Sequence, residues 1–197
     1  VLSSCADGSV LTDGERGELM RMDPRSGAVV RIQPGVRALP QMFYALLCAS
    51  DGSYWMGHRH GVLRYDPATR DVQEWRGADG AGLGAGPVDL LHEAASGEVW
   101  ASALGGALYR LKAGSTRAPH YVLPSGRGQR SGHEIEDMRF DSRGRLWLAG
   151  THGLAYWDPR SDRLQPVSQV PPGRIDALIQ AGEDQVWVHS VQALSLL

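Results

Sequence analysis

A tryptophan recurs along the chain at nearly constant spacing and carries similar neighbours each time. Its four positions are 45, 47 and 40 residues apart: Trp55, Trp100, Trp147 and Trp187. Glycines stand three residues before and six residues after the first three tryptophans: Gly52, Gly61, Gly97, Gly106, Gly144 and Gly153. An apolar residue precedes each of these four tryptophans by twelve positions: Phe43, Val88, Ile135 and Ile175. Self-similarity at this period predicts a repeat architecture, and a fifth, N-terminal copy is centred on Leu11.

Each repeat is predicted to form four short strands, most clearly in the copy around Trp147. A turn follows the first strand, because Asp141 suits the start of a turn and Gly144 supplies a permissive backbone. The third strand ends at Asp158 and Pro159, since proline cannot donate to a β ladder. The predicted strands of this copy are 135–141, 145–149, 154–157 and 164–167.

Four antiparallel strands in every 40–47 residues match the blade of a β-propeller. A parallel β-helix would have shorter coils, and helical solenoids are excluded because no segment shows a 3.6-residue period. We therefore predict an all-β fold of about five four-stranded antiparallel blades. The repeat units are 1–34, 35–79, 80–126, 127–169 and 170–197, the first and last incomplete. We expect an open fragment of a larger propeller, of seven blades for example, that exposes apolar blade faces.

One copy of the repeat, from Asp141 to Pro159, carries a specific pattern: an Asp, a Gly three residues later, a Trp after three more, then a Gly-led turn, an aromatic residue and Asp-Pro. A second good copy runs from Asp51 to Pro67 and keeps the same order, with its Asp directly before the Gly. This pattern resembles the two-component regulator propeller repeat. The resemblance implies a periplasmic sensor region of a bacterial receptor, anchored by a membrane helix and followed by a histidine kinase or diguanylate cyclase. It also implies the rest of that receptor as partner, in a homodimer, with the output domain outside this chain.

The composition narrows the remaining function classes. The 20 basic and 22 acidic residues argue against a nucleic-acid binder. No apolar run approaches the roughly 20 residues of a membrane span, so we expect no membrane segment within the chain.

Cys5 and Cys48 stand near the ends of first strands in adjacent units and could approach each other. We expect them to be free thiols, with a single bridge as the alternative.

The turns between second and third strands supply the first candidate binding residues. The candidates are His58, Arg59, His60 and His152, and His60 and His152 occupy equivalent positions in two copies. One interpretation is a polar rim that binds an anionic or sugar-like ligand, such as a small molecule or saccharide. The other is that these are solvated turn residues. No metal or cofactor is expected, because His58 and His60 lack an evident third ligand.

A second candidate set is the acidic residue just after the apolar start of each first strand. Its members are Asp89, Glu136 and Asp176, with Tyr44 in the remaining copy. One interpretation is an arc of carboxylates at the mouth of a central channel. The alternative is that each carboxylate accepts backbone hydrogen bonds and joins one blade to the next.

These patterns favour a sensing module over an enzyme. No Ser-His-Asp arrangement, phosphate loop or Cys-His pair stands out, so we expect no catalysis by this chain. The alternatives are a propeller enzyme, such as a lyase or a glycoside hydrolase, and a protein-interaction platform without a small ligand. Paired carboxylates could perform glycosidic chemistry, but their recurrence at a repeated position indicates architecture first.

Overall fold

The computed structural model describes residues 1–15, 17–34, 40, 42–76, 83, 86–122, 135–151, 153–170, 173–181, 185–190 and 193–197. These residues form strands and turns, and they include no helix that could cross a membrane. The chain divides into two compact units, one of residues 1–103 and 109–120, the other of residues 104–108 and 121–197.

The strands form five antiparallel sheets, and within each sheet they are hydrogen-bonded in chain order. The first sheet contains β1 (Leu2–Ser4), β2 (Val10–Asp13), β3 (Leu19–Met22) and β4 (Val29–Ile32). The second contains β5 (Phe43–Cys48), β6 (Tyr54–His58), β7 (Gly61–Tyr65) and β8 (Val72–Arg76). The third contains β9 (Val88–Glu93), β10 (Val99–Ala103), β11 (Ala107–Leu111) and β12 (His120–Val122).

The fourth sheet contains β13 (Ile135–Phe140), β14 (Leu146–Gly150), β15 (Gly153–Asp158) and β16 (Arg163–Pro166). The fifth contains β17 (Ile175–Ala181), β18 (Gln185–Ser190) and β19 (Leu194–Leu196). The predicted all-β class and the four-stranded antiparallel blades are confirmed, and the described part of the fifth sheet has three strands. In the copy around Trp147, every strand boundary lies within one residue of its predicted position.

The turn between the first and second strands is the same in four sheets. Its glycine N–H donates to the carbonyl three residues earlier, at 2.8–3.0 Å, in Gly8, Gly52, Gly97 and Gly144. These glycines have φ between +75° and +83°. A Cβ at Gly52 would meet nothing within 4 Å, so glycine is required there for its backbone conformation and not for space.

Three of the four repeated tryptophans are buried. Trp55 and Trp100 are each 1% exposed, and Trp147 is 6% exposed. Trp147 packs with Ile175 and Val188 of the fifth sheet. The repeated tryptophan position is thus a core position in the second, third and fourth sheets.

Trp187 differs from the other repeated tryptophans because its face of the fifth sheet is open. It pairs with Ile179 on one side and Leu196 on the other, so the three side chains form one row. Their exposed fractions are 36%, 61% and 42% for Trp187, Ile179 and Leu196. The expectation of an exposed apolar blade face is borne out on this sheet.

Cys5 and Cys48 form a disulfide between the first two sheets, so the prediction of free thiols is wrong. Cys5 directly follows β1 and Cys48 ends β5, and these two first strands lie next to each other. The Cα atoms are 5.1 Å apart, within the range that a disulfide spans. Spacing along the chain placed the two residues near each other but did not decide the bond.

Candidate ligand-binding site

The acidic positions in the first strands coincide with β-bulges. In β5, Phe43 pairs with His58 and Ala45 with Gly57, so Tyr44 has no partner of its own. The same single-residue skip occurs in three more sheets, at Asp89, Glu136 and Asp176. A bulge bends the strand and re-aims the extra side chain, and bulges are common beside functional sites. The repeated acidic position is therefore also a repeated irregularity of the backbone, which the sequence pattern did not reveal.

Arg174 joins two of the predicted carboxylates. Its Nη2 lies 3.1 Å from Oε1 of Glu136, and its Nε lies 2.6 Å from Oδ1 of Asp176. Arg174 is not among the predicted site residues, although an arginine immediately before the apolar start of a first strand is a signal that the sequence contains. One cation thus offsets part of the negative charge of the two acids.

A carboxylate does join one blade to the next by a backbone hydrogen bond, as one interpretation of the sequence predicted. The residue that makes this bond is Asp137, which follows the predicted Glu136. Asp137 Oδ2 accepts a hydrogen bond of 2.9 Å from the backbone N–H of Leu178 in the fifth sheet. Its Oδ1 accepts from the N–H of Met138 at 2.8 Å. Oδ2 of Asp137 therefore joins the fourth sheet to the fifth, and the bond to Oδ1 lies within β13. Asp89 is half-buried on β9, and Tyr44 is 39% exposed.

Of the three predicted polar residues at the end of β6 and in the turn after it, one is buried and two are exposed. His58 is 3% exposed, whereas Arg59 and His60 are exposed. The N–H of His60 donates to Nδ1 of His58 at 3.3 Å. Arg59 and His60 are therefore the members of this turn that a ligand in solvent could reach. His152, the fourth predicted residue of this set, lies outside the described residues.

His58 faces an acidic and a basic neighbour on β8. Its Nε2 is 3.7 Å from Oε1 of Glu74, and the same oxygen is 2.7 Å from Nε of Arg76. Burial lowers the pKa of His58, the Glu74 carboxylate opposes this, and His60 and Arg76 add to the lowering. Since Nδ1 accepts a hydrogen bond, the neutral ring carries its proton on Nε2.

The lowered pKa of His58 predicts a loss of stability in mild acid. The unfolded chain binds the proton near the ordinary pKa of 6.5, and the folded chain binds it only at lower pH. The stability that depends on neutral His58 is therefore complete above about pH 6.5 and decreases as the pH falls through that value. We expect His58→Gln to flatten the fall in unfolding free energy between pH 7.5 and 5.5, measured by urea denaturation.

His189→Gln is the matched control for this experiment, because His189 is exposed and takes no part in the interactions that lower the pKa of His58. We expect its pH dependence to follow that of the unmodified chain. Equal slopes for the unmodified chain and His58→Gln would contradict the assignment of a lowered pKa to His58.

Comparison with known proteins identifies the fold. No protein-family model and no curated protein matches the chain. Among solved structures, the extracellular domain of BT4673 from B. thetaiotaomicron, a proposed hybrid two-component system, superposes with a TM-score of 0.72 and 16% identity. That match covers 99% of this chain and 26% of the other. Virginiamycin B lyase from Staphylococcus aureus superposes with a TM-score of 0.72, at 13% identity, over 95% of this chain and 61% of the enzyme. The fold is a β-propeller.

A second extracellular domain gives the same result. The domain of BT3049, a proposed hybrid two-component system of B. thetaiotaomicron, matches with a TM-score of 0.69 and 14% identity. It is covered over 24% of its length, against 91% of this chain. The chain thus spans about a quarter of these two domains. At such identities the propeller architecture is common to sensor domains and to an enzyme, and the fold by itself does not separate these functions.

Proposed function

We propose that the chain is a ligand-sensing part of the extracytoplasmic, periplasmic region of a bacterial signal-transduction receptor. The observation that carries the proposal is the repeat pattern of residues 141–159, which resembles the two-component regulator propeller. The likeness of the fold to the extracellular domains of two proposed two-component systems supports it. In such a receptor, the output would be a histidine kinase or a diguanylate cyclase outside this chain.

The disulfide supports placement outside the cytoplasm. Disulfides persist in oxidising compartments such as the bacterial periplasm and are rare in the cytosol, where thiols are kept reduced. The Cys5–Cys48 bond is therefore the bond expected of an exported domain.

The ligand would bind at the turn after β6, where Arg59 and His60 are exposed. A guanidinium and an imidazole on adjoining positions provide donors for a carboxylate, a sulfate or sugar hydroxyls. The carboxylate of Asp89, at the bulge of β9 in the same compact unit, would supply an acceptor for sugar hydroxyls. An anionic or saccharide ligand fits this set of groups.

The proposal is tested in two steps. Alkaline phosphatase fused after Leu197 in the native gene should be active, because that reporter folds only after export; an inactive fusion with normal protein levels would contradict the periplasmic placement. The midpoint temperature of thermal unfolding should then rise when neutral or acidic saccharides or small organic anions are added, since a ligand of the folded state stabilises that state.

The matched variants for the binding step are Arg59→Gln and Arg160→Gln. Both residues are exposed, but Arg160 lies in the turn between β15 and β16. We expect Arg59→Gln to reduce the ligand-induced rise and Arg160→Gln to leave it unchanged. Turnover of a stabilising saccharide would instead favour an enzyme, and an absence of response to every compound would favour an interaction platform.

A further inference from the structure

A cavity of about 570 Å³ opens between the first and second sheets. It lies beside the turns that join β1 to β2 and β3 to β4. Its lining includes Tyr54, at the start of β6, whereas His58 ends that strand roughly 13 Å away. The cavity is therefore separate from the turn of Arg59 and His60. Its volume is in the range of small-molecule sites, about 300–1,000 Å³.

Two tyrosines form the buried side of this cavity. Tyr54 and Tyr65 pair across β6 and β7, with ring centroids 6.3 Å apart, and they are 3% and 7% exposed. The hydroxyl of Tyr54 accepts a hydrogen bond of 3.2 Å from Nη1 of Arg21. The Tyr65 hydroxyl has no hydrogen-bond partner in the described part of the chain. Tyr65 lines the cavity, and its hydroxyl can donate to, or accept from, an oxygen of a bound ligand.

Arg21 belongs to the architecture of the repeat. It donates from Nε to Ser9 Oγ at 2.7 Å and pairs with Asp7. The second sheet contains the equivalent pair, Arg64 with Asp51 at 3.1 Å. The same pair occurs in the second sheet, away from this cavity, so it belongs to the repeat. Arg21 therefore lines the cavity with its guanidinium already paired.

Arg25 is the free cation of the cavity lining. Arg31, which also lines the cavity, is 3.1 Å from Glu18. The guanidinium of Arg25 has no partner among the residues that the structure describes. Asp23 does not neutralise it, because its oxygens accept from Ser26 Oγ and the Arg25 backbone N–H at 2.8 Å each. These bonds, that of Ser26 first, lower the pKa of Asp23 and fix its carboxylate in the turn.

The lining combines this cation with apolar surface. Its charged side chains are three arginines and two aspartates, which leaves one positive charge: Asp7, Asp23, Arg21, Arg25 and Arg31. Val30, Ile32 and Pro67 add apolar wall, and Val30 is 63% exposed. A ligand that fits would carry one negative charge and one apolar face.

We propose that this cavity binds a small ring-bearing carboxylate. The carboxylate lies against the Arg25 guanidinium, which can bind it through two parallel hydrogen bonds. A second oxygen of the ligand accepts from, or donates to, the Tyr65 hydroxyl. The apolar face of the ring packs against Val30 and Pro67. This chemistry is shared by sugar acids and by hydroxylated aromatic acids, and it adds a second site to the proposed sensing function without depending on it.

Isothermal titration calorimetry of the whole chain tests the proposal with two acids, glucuronate and 4-hydroxybenzoate, and two neutral analogues, glucose and 4-hydroxybenzamide. We expect at least one acid to bind saturably and its neutral analogue to bind at least tenfold more weakly. Binding of glucuronate alone assigns a sugar acid, and binding of 4-hydroxybenzoate alone assigns an aromatic acid. Absence of saturable binding by both acids, or equal binding of acid and neutral analogue, would overturn the proposal.

Three variants locate the binding. We expect Arg25→Gln to weaken it about tenfold or more, as for loss of a hydrogen bond to a charged group. Tyr65→Phe keeps the ring and should weaken it about threefold to tenfold. Arg59→Gln, at the other candidate site, should leave it unchanged. If Arg25→Gln binds like the unmodified chain, or Arg59→Gln abolishes binding, the cavity is not the site. Arg25 is exposed, so its variant remains decisive even if Tyr65→Phe fails to fold.

Discussion

Trp147→Ala is expected to lower the free energy of unfolding by about 3–5 kcal/mol, the usual cost of truncating a buried tryptophan to alanine. The side chain is 6% exposed and packs against Ile175 and Val188 of the next sheet. Its Nε1 also donates to Oδ2 of Asp141 at 2.9 Å, so the substitution removes one donor from a buried carboxylate. Urea denaturation followed by tryptophan fluorescence and circular dichroism measures the change.

Trp187→Ala is the matched control, because it stands at the equivalent repeat position on an open sheet face. It is 36% exposed, and the row to which it belongs is exposed as well. We expect a loss below about 1 kcal/mol, as for surface substitutions. Equal losses for the two variants would show that burial between sheets does not account for the stability of Trp147.

Reduction of the Cys5–Cys48 bond is expected to cost about 4 kcal/mol of unfolding free energy. The bond joins residues 43 positions apart in the chain. In the chain-entropy model, cross-linking a loop of this size lowers the conformational entropy of the unfolded chain, which destabilises that state by about 4 kcal/mol. Urea denaturation with and without dithiothreitol measures the difference. Because the bond joins the first sheet to the second, we expect the first sheet to gain the largest increase in amide hydrogen exchange.

The double variant Cys5→Ala/Cys48→Ala separates the bond from any other effect of the reductant. It should match the reduced chain in stability and should not respond to dithiothreitol. If the unmodified chain is equally stable with and without reductant, the two cysteines are not bonded in solution, and the disulfide no longer supports export.

The repeat could be recognised in the sequence from its turn glycines and its tryptophans, because each of these residues has the same structural role in most copies. Gly52 and its equivalents must adopt a positive φ, and a position that needs glycine stays glycine in every copy that keeps the turn. Trp55 and Trp100 are buried at equivalent positions of the second strands, β6 and β10, so their spacing along the chain equals the repeat length. Strand boundaries could be predicted for the same reason, since turns and proline end strands locally.

The candidate sites were predictable only in part. The turn of Arg59 and His60 could be located from the repeat, but the burial of His58 beside Glu74 could not, because β6 is buried on both faces and Glu74 comes from β8. The cavity beside Tyr65 was missed altogether. Its lining comes from two sheets, and none of its residues forms a motif along the chain.

The sequence by itself determined the repeat, the strand and turn pattern and the all-β class, because these follow from interactions between residues close together in the chain. Only the tertiary structure decided what those units place side by side. It brought Cys5 to Cys48 across 43 residues and Arg174 to Glu136 across two strands of neighbouring sheets. It also set Tyr65 and Arg25 around one cavity. Such contacts depend on how one sheet packs on the next, and packing is a property of shape in three dimensions that no spacing in the sequence records.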